Sequence, residues 1–83
     1  MALSTYRKMT DDEQVELNAF WINLENRIPH AEMIFGSTTK QIRADRLENE
    51  RIRVLAAWRR FVKRLGLPTD IRYGYGYWGY PAE

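Results

Sequence analysis

The sequence predicts an all-α protein in which two antiparallel helices form a hairpin and an irregular aromatic tail follows them. Apolar residues recur at helical spacing over residues 11–28, and again over residues 39–65, a stretch without glycine or proline. The segment between the two stretches is short, and short connections favour antiparallel neighbours. We therefore expect an antiparallel helical hairpin.

The first helix has signals at both ends. Thr10 and Glu13 have the spacing of a capping box, in which the threonine oxygen accepts from the backbone of residue 13 and Glu13 reaches back to the threonine backbone. Pro29 disfavours helical geometry in the residue before it, so the helix should end near Ile28. The apolar residues of its core-facing side are Leu17, Phe20, Trp21, Leu24 and Ile28.

A connector separates the two helices. It is apolar enough to fold onto them, and we expect a short helical turn over residues 31–35. Thr38 and Gln41 have the spacing of a second capping box. Gly66 suits the left-handed position of a Schellman motif, so the second helix should end at residue 65. The residues predicted for its core-facing side are Ala44, Leu47, Val54, Leu55, Trp58, Phe61, Val62 and Leu65.

Length and composition divide the chain into three segments. Its 83 residues allow one domain with a thin core, for which partner chains are a common remedy. We expect residues 1–9 to be a flexible N-terminal arm, residues 10–67 to be the helical hairpin domain, and residues 68–83 to be a Tyr/Gly-rich C-terminal tail.

Several classes of function are excluded by composition. The chain has no cysteine, which removes disulfides and thiolate metal sites, and its single histidine, His30, has no companions in the sequence. No glycine-rich phosphate loop opens a helix. We therefore expect no catalytic residue, metal or cofactor, and no enzyme. A polar N-terminus and the lack of an apolar run of about 18 residues predict a soluble cytoplasmic protein, or a virion component if a phage encodes it.

A basic cluster lies near the end of the second helix, and we call it the basic turn. It consists of Arg59, Arg60, Lys63 and Arg64. In an antiparallel hairpin this cluster would lie beside the acidic start of the first helix, so its cations could pair with those carboxylates. It could instead bind an acidic protein or the phosphates of a nucleic acid. The net charge of +2 is too small to decide among these readings.

The helices carry more apolar residues than one interface needs. We call the surplus the second apolar stripe; it comprises Val15, Ala19 and Ile22 on the first helix and Ile42, Ile52 and Ala56 on the second. The connector and the tail could cover this stripe, copies of the chain could associate through it, or another protein could contact it.

The tail is unusually aromatic. In an extended chain three of its tyrosines would project to one side between glycines. Three readings follow. The rings could pack on the hairpin, the tail could dock into another protein, or the rings could stack on bases. The tail residues concerned are Tyr73, Tyr75, Tyr77, Trp78 and Tyr80.

These features together favour a small non-enzymatic protein-binding accessory subunit or adaptor of a larger assembly, such as a phage virion component or a host-targeting inhibitor. A nucleic-acid-binding module and a self-assembling helical homo-oligomer are the alternatives, and no membrane contact is expected. The partner-binding residues predicted are Tyr73, Tyr75, Tyr77, Trp78, Tyr80, Arg59, Arg60, Lys63, Arg64, Ile52 and Ala56.

Overall fold

The structure, a computed structural model, describes residues 3–81. The first two residues of the predicted arm and the last two residues of the predicted tail lie outside it. Within these residues the chain forms four helices and one three-stranded sheet, and the prediction of an all-α hairpin is wrong. The elements are β1 (Leu3–Lys8), α1 (Asp11–Arg27), α2 (Ala31–Gly36), α3 (Thr39–Ala44), α4 (Glu48–Arg64), β2 (Arg72–Gly74) and β3 (Tyr77–Pro81).

The sheet is built from the two ends of the chain. Its strand order is β1-β3-β2, both pairings are antiparallel, and Lys8 and Tyr73 lie opposite Tyr77 and Trp78 of the central strand β3. The tail predicted to be irregular is therefore a β-hairpin, and the stretch predicted to be a flexible arm holds a strand. The local pattern did not indicate this because the β1–β3 pairing joins segments at opposite ends of the sequence.

The second helix is interrupted where the sequence predicts one helix over residues 39–65. Arg46 has a left-handed backbone with φ of 57°. The backbone N–H of Leu47 donates to the Ile42 carbonyl at 2.9 Å, and that of Arg46 donates to the Arg43 carbonyl at 3.3 Å. This is a Schellman motif with arginine in place of glycine, and it ends α3 before α4 begins. The single long helix is therefore a wrong prediction.

The helix ends with local sequence signals have the predicted chemistry. Capping boxes are present at Thr10 and Thr38, and α1 ends with Ile28 in an extended conformation as its C-cap. Gly66 has a φ of 78°, and the backbone N–H of Leu67 donates to the Val62 carbonyl at 2.9 Å. The backbone N–H of Gly66 also donates to the Lys63 carbonyl, at 3.0 Å, and the two hydrogen bonds make the predicted Schellman stop of α4.

An ion pair joins β1 to the start of α1. The Arg7 guanidinium donates to both carboxylate oxygens of Glu13, at 2.7 and 2.5 Å. This interaction, together with the Thr10 backbone N–H, holds the pKa of Glu13 down at about 2. The bidentate geometry thereby ties the sheet to the helical layer.

The core lies where the helices meet one face of the sheet. The rings of Trp21 and Trp58 stack with centroids 5.7 Å apart, and Phe35 of α2 lies 4.7 Å from Trp58. The sheet adds Trp78, whose ring centroid is 6.3 Å from that of Trp58. A two-helix interface alone is therefore the wrong account of the core. Its buried members are Met9, Leu17, Trp21, Leu24, Ile28, Ala31, Ile34, Val54, Ala57, Trp58, Phe61, Val62, Leu67, Ile71 and Trp78.

Candidate functional site

The most exposed aromatic residue lies at the tip of the β2–β3 hairpin. Tyr75 and Gly76 form its two-residue loop, and both have left-handed backbones, with φ of 51° and 80°. Positive φ at both loop positions characterises a type I′ turn, which matches the twist of the strands. The Met9 backbone N–H donates to the Gly76 carbonyl at 2.8 Å and holds the turn against the chain. The Tyr75 side chain is fully exposed.

Two core contacts hold this hairpin in place. The buried indole N–H of Trp58 donates to the Ile71 carbonyl at 3.0 Å, just before β2 begins. The Tyr73 ring lies 5.6 Å from the ring of Trp58, and its hydroxyl donates to the Glu32 carboxylate. Burial raises the pKa of Tyr73 above its ordinary value, and the hydrogen bond to Glu32 raises it further. Tyr73 therefore stays a neutral hydrogen-bond donor that anchors β2 to α2.

A cavity of about 620 Å³ opens beside the hairpin, and we call it the aromatic cleft. The hairpin, the C-terminal end of α2 and the first turns of α4 form its walls. Three tyrosines and a phenylalanine give the walls their aromatic character. The lining residues are Thr5, Glu32, Phe35, Gly36, Ser37, Arg51, Leu55, Arg72, Tyr73, Gly74, Tyr75, Tyr77 and Trp78.

Like Arg51, Arg72 is a half-buried cation that lines the aromatic cleft. Its guanidinium lies 4.8 Å from the ring centroid of Phe35, and Nη1 donates to the carbonyls of Asp70 and Ile71 at 3.3 and 3.1 Å. Burial lowers the pKa of Arg72, and the positive charges of Arg59 and Arg51 lower it as well, against the opposing effect of Asp70. The cleft thus combines apolar walls with a positive charge that is poorly solvated.

The five predicted aromatic residues of the tail have different environments. Tyr75 and Tyr77 are exposed and line the aromatic cleft, with Tyr77 at 42% exposure. Tyr73 is half-buried and Trp78 is completely buried, so their rings belong to the core. Tyr80 is half-buried and makes an edge contact with Tyr6, at a centroid distance of 6.0 Å. The structure therefore places two of the five rings where another molecule can contact them.

The basic turn is exposed along its whole length. Arg59, Arg60, Lys63 and Arg64 are all solvent-accessible, and Arg64 lies 5.6 Å from the ring centroid of Phe61. Within residues 3–81 the one ion pair is Arg7–Glu13, so the expected pairing of the basic turn with the acidic start of the first helix is absent there. None of these four cations lines the aromatic cleft.

The second apolar stripe is partly covered. Ile42 is buried, because the break after α3 turns it inward, and Ala56 is half-buried. Val15, Ile22 and Ile52 remain exposed, at 67%, 65% and 59%. A smaller cavity of about 180 Å³ beside Ala56 is lined by Leu24, Arg27, Ile28, Arg53, Ala56, Ala57 and Arg60.

Sequence reasoning missed the residues that give the aromatic cleft its polar character. Arg72 immediately precedes the aromatic run, and Phe35 is an apolar residue of the connector, so each carried a weak signal. The contact between Arg72 and Phe35 could not be predicted from the sequence, because it joins β2 to α2 through tertiary packing. Leu55 was predicted to face the core, and it is half-buried and lines the cleft. Arg51 and Glu32 were not predicted to belong to a site.

Other kinds of site are not found in the part of the chain that the structure describes. Residues 3–81 contain no group of three histidine or acidic side chains that could hold a metal ion. No helix among them is long and apolar enough to cross a membrane. Comparison of the chain with protein families, with curated proteins and with solved structures finds no match.

Proposed function

We propose that this chain is a non-enzymatic accessory subunit or adaptor that binds a protein partner through the tip of the β2–β3 hairpin and the aromatic cleft. The observation that carries the proposal is Tyr75, which is fully exposed on a left-handed backbone. This backbone costs a residue with a Cβ about 1 to 2 kcal/mol. A tyrosine that is strained and packs on no residue of the described range 3–81 is expected where its ring contacts another molecule.

The surroundings of Tyr75 suit protein recognition. Tyr77 projects from the adjoining strand, and both rings line the aromatic cleft. Tyrosine is enriched among the residues that dominate binding energy because its large rigid ring buries much area at little entropic cost. A volume of about 620 Å³ accommodates a few residues of an extended partner segment. The hairpin is fixed to the core through Trp58, so this surface is preorganised.

The charge distribution favours a protein over a nucleic acid. Binding of single-stranded nucleic acid combines stacking rings with a continuous basic groove along the backbone. Here none of the four cations of the basic turn lines the aromatic cleft, which contains Glu32 as well as its two arginines. We place the accessory subunit inside the cell, or in a virion if a phage encodes it.

Selection of peptides from a random library on the immobilised full chain tests the proposal. The wild type should select peptides that bind with micromolar affinity. Replacement of Tyr75 and Tyr77 by serine should lower that affinity about tenfold or more, because hot-spot residues commonly contribute 2 kcal/mol or more. A matched control is the replacement of Val15 and Ile22 by serine, since both side chains are exposed and neither lines the cleft.

Three results would contradict the proposal. The selected peptides could bind both double variants as well as the wild type. The purified chain could bind an oligonucleotide with an affinity that falls steeply with salt and exceeds that for every peptide. Light scattering could show a stable oligomer whose interface buries Tyr75 and Tyr77, which would assign the hairpin to self-assembly.

A further inference from the structure

We infer that the aromatic cleft recognises an acidic side chain of the partner, an aspartate or glutamate next to an apolar residue, through the guanidinium of Arg72. The inference rests on the proposed function and specifies the chemistry of the partner segment. It is carried by the contact of the Arg72 guanidinium with the Phe35 ring in the lining of the cavity, and by the charges of the residues that line the cleft.

The hydrogen bonds of Arg72 leave part of its donor set unused. A guanidinium has five N–H donors in a planar fork. Those on Nη1 bond to the carbonyls of Asp70 and Ile71, whereas Nε and Nη2 have no acceptor within residues 3–81. The Phe35 ring centroid lies 4.8 Å from the guanidinium carbon. A planar carboxylate can accept two parallel hydrogen bonds from such a fork.

No carboxylate within residues 3–81 forms an ion pair with Arg72, although the charge of Asp70 opposes the lowering of its pKa. The ion pair of Arg7 with Glu13 is the one found in residues 3–81, and it lies on β1 and α1. Arg72 is nevertheless half-buried, and burial is the main cause that lowers its pKa. A cation in this environment gains more from an incoming anion than an exposed one does, because less solvent screens the interaction.

The lining charges match one carboxylate better than a phosphate. Arg51 and Arg72 contribute two positive charges to the wall and Glu32 contributes one negative charge, so the net lining charge is a single positive one. Glu32 accepts a hydrogen bond from Tyr73 and is thereby held in place. A phosphate monoester carries about two negative charges at neutral pH and would leave one of them unmatched.

The rest of the cleft predicts the residue next to the acidic one. Phe35, Leu55 and Tyr77 give apolar wall surface beside Arg72. An apolar or aromatic side chain would bury its area against these groups while the neighbouring carboxylate bonds to the guanidinium. The smallest probe that contains both features is the blocked dipeptide acetyl-Phe-Asp-amide.

Titration of the labelled full chain with this dipeptide, followed by NMR, tests the inference. We expect the Nε–H signal of Arg72 to shift on binding. The isosteric control acetyl-Phe-Asn-amide should bind about tenfold more weakly, because a hydrogen bond between two charged groups is stronger than one from a guanidinium to a neutral amide oxygen. The variant R72Q should bind the two dipeptides equally, and R72K, which keeps the charge without the fork, should fall between it and the wild type.

Thermal unfolding shows whether R72Q is folded. If it is not, R51Q serves instead, because Arg51 lines the cleft and makes no side-chain hydrogen bond in residues 3–81. The R51Q substitution should reduce the preference for the acidic dipeptide by a smaller factor than R72Q would. Equal binding of the two dipeptides to the wild type overturns the inference, as does an undiminished preference in folded R72Q. Tighter binding of acetyl-Phe-Asn with a free C-terminal carboxylate, or of phenyl phosphate, also overturns it.

The failures of the two proposals are distinguishable. The selected peptides could require Tyr75 and Tyr77 but contain no acidic residue and bind R72Q as tightly as the wild type. This result would support the proposed function and contradict the role of Arg72. Peptides whose affinity does not change when both tyrosines are replaced would contradict the proposed function. In that case the dipeptide titration still reports on Arg72 directly, because it needs no selected peptide.

Discussion

Replacement of Tyr75 by asparagine should stabilise the fold while it weakens binding. Tyr75 has a φ of 51° and a fully exposed side chain, so the substitution removes no packing contact with the part of the chain that the structure describes. The left-handed backbone costs about 1 to 2 kcal/mol for an ordinary residue, and asparagine tolerates it better. Asparagine followed by glycine is also a favoured type I′ turn. We expect the free energy of unfolding to rise by about 0.5 to 1 kcal/mol.

The assay is urea unfolding, supported by thermal unfolding. For a domain of this size the expected gain corresponds to a rise in Tm of about 2 to 8 °C. Tyr77→Asn is the matched control, because Tyr77 lies in β3 with an extended backbone, where asparagine is disfavoured; this variant should be less stable than the wild type. A Tyr75→Asn protein that is less stable than the wild type would refute the reasoning, since it would mean that the ring stabilises its own chain.

Three further substitutions test the fold. The Glu13 carboxyl has a pKa of about 2 in the folded chain, below the ordinary 4.5, so its contribution to stability is present above about pH 4.5 and is lost as the pH falls toward 2. Urea unfolding of the wild type should show the free energy of unfolding falling by about 1 to 3 kcal/mol over this range, and E13Q should show a smaller fall. Equal losses in the two proteins would contradict the role of Arg7. Trp58→Phe removes the buried indole donor to the Ile71 carbonyl, which keeps only its hydrogen bond from Arg72, and leaves unfilled volume in the core. It should cost about 2 to 4 kcal/mol, with disorder of the hairpin in NMR spectra; a change below about 0.5 kcal/mol would show that Trp58 does not anchor the hairpin. Arg46→Gly should raise the free energy of unfolding by about 0.5 to 1 kcal/mol in the same assay, because glycine adopts the left-handed backbone without strain. A decrease in the free energy of unfolding would contradict this explanation of the helix break.

The predictable parts of the fold are those with local chemistry. The capping boxes at Thr10 and Thr38 and the Schellman stop at Gly66 each depend on residues within one turn of the chain, and the sequence displays them directly. Arg46 ends a helix by the same hydrogen bonds as Gly66, but arginine carries no signal for a left-handed backbone. The tertiary environment selects that conformation, so the break was missed.

The sheet was missed for a different reason. A strand of three residues and two of five or six residues give little periodicity, and the β1–β3 pairing depends on contacts between the two ends of the chain. One signal was available, because a residue followed by glycine between two short aromatic segments can form a two-residue hairpin loop. Tyrosine at the first loop position hid that signal, since asparagine or glycine is usual there.

The candidate site was predictable in composition and not in geometry. The richness of the tail in tyrosine identified Tyr75 and Tyr77, the two rings that remain exposed. The same reasoning gave Trp78 equal weight, although the pairing of β3 with both neighbouring strands turns that ring into the core. The meeting of Arg72 with Phe35 depends on tertiary packing, which the sequence does not display.

The affinity of one selected peptide for the wild type and for Tyr75→Asn, measured by fluorescence anisotropy, tests the central claim most directly. The account predicts that the variant binds about tenfold or more weakly although it unfolds at a higher temperature, because the ring at the hairpin tip is used for contact with a partner. Equal affinity of the two proteins would contradict the account.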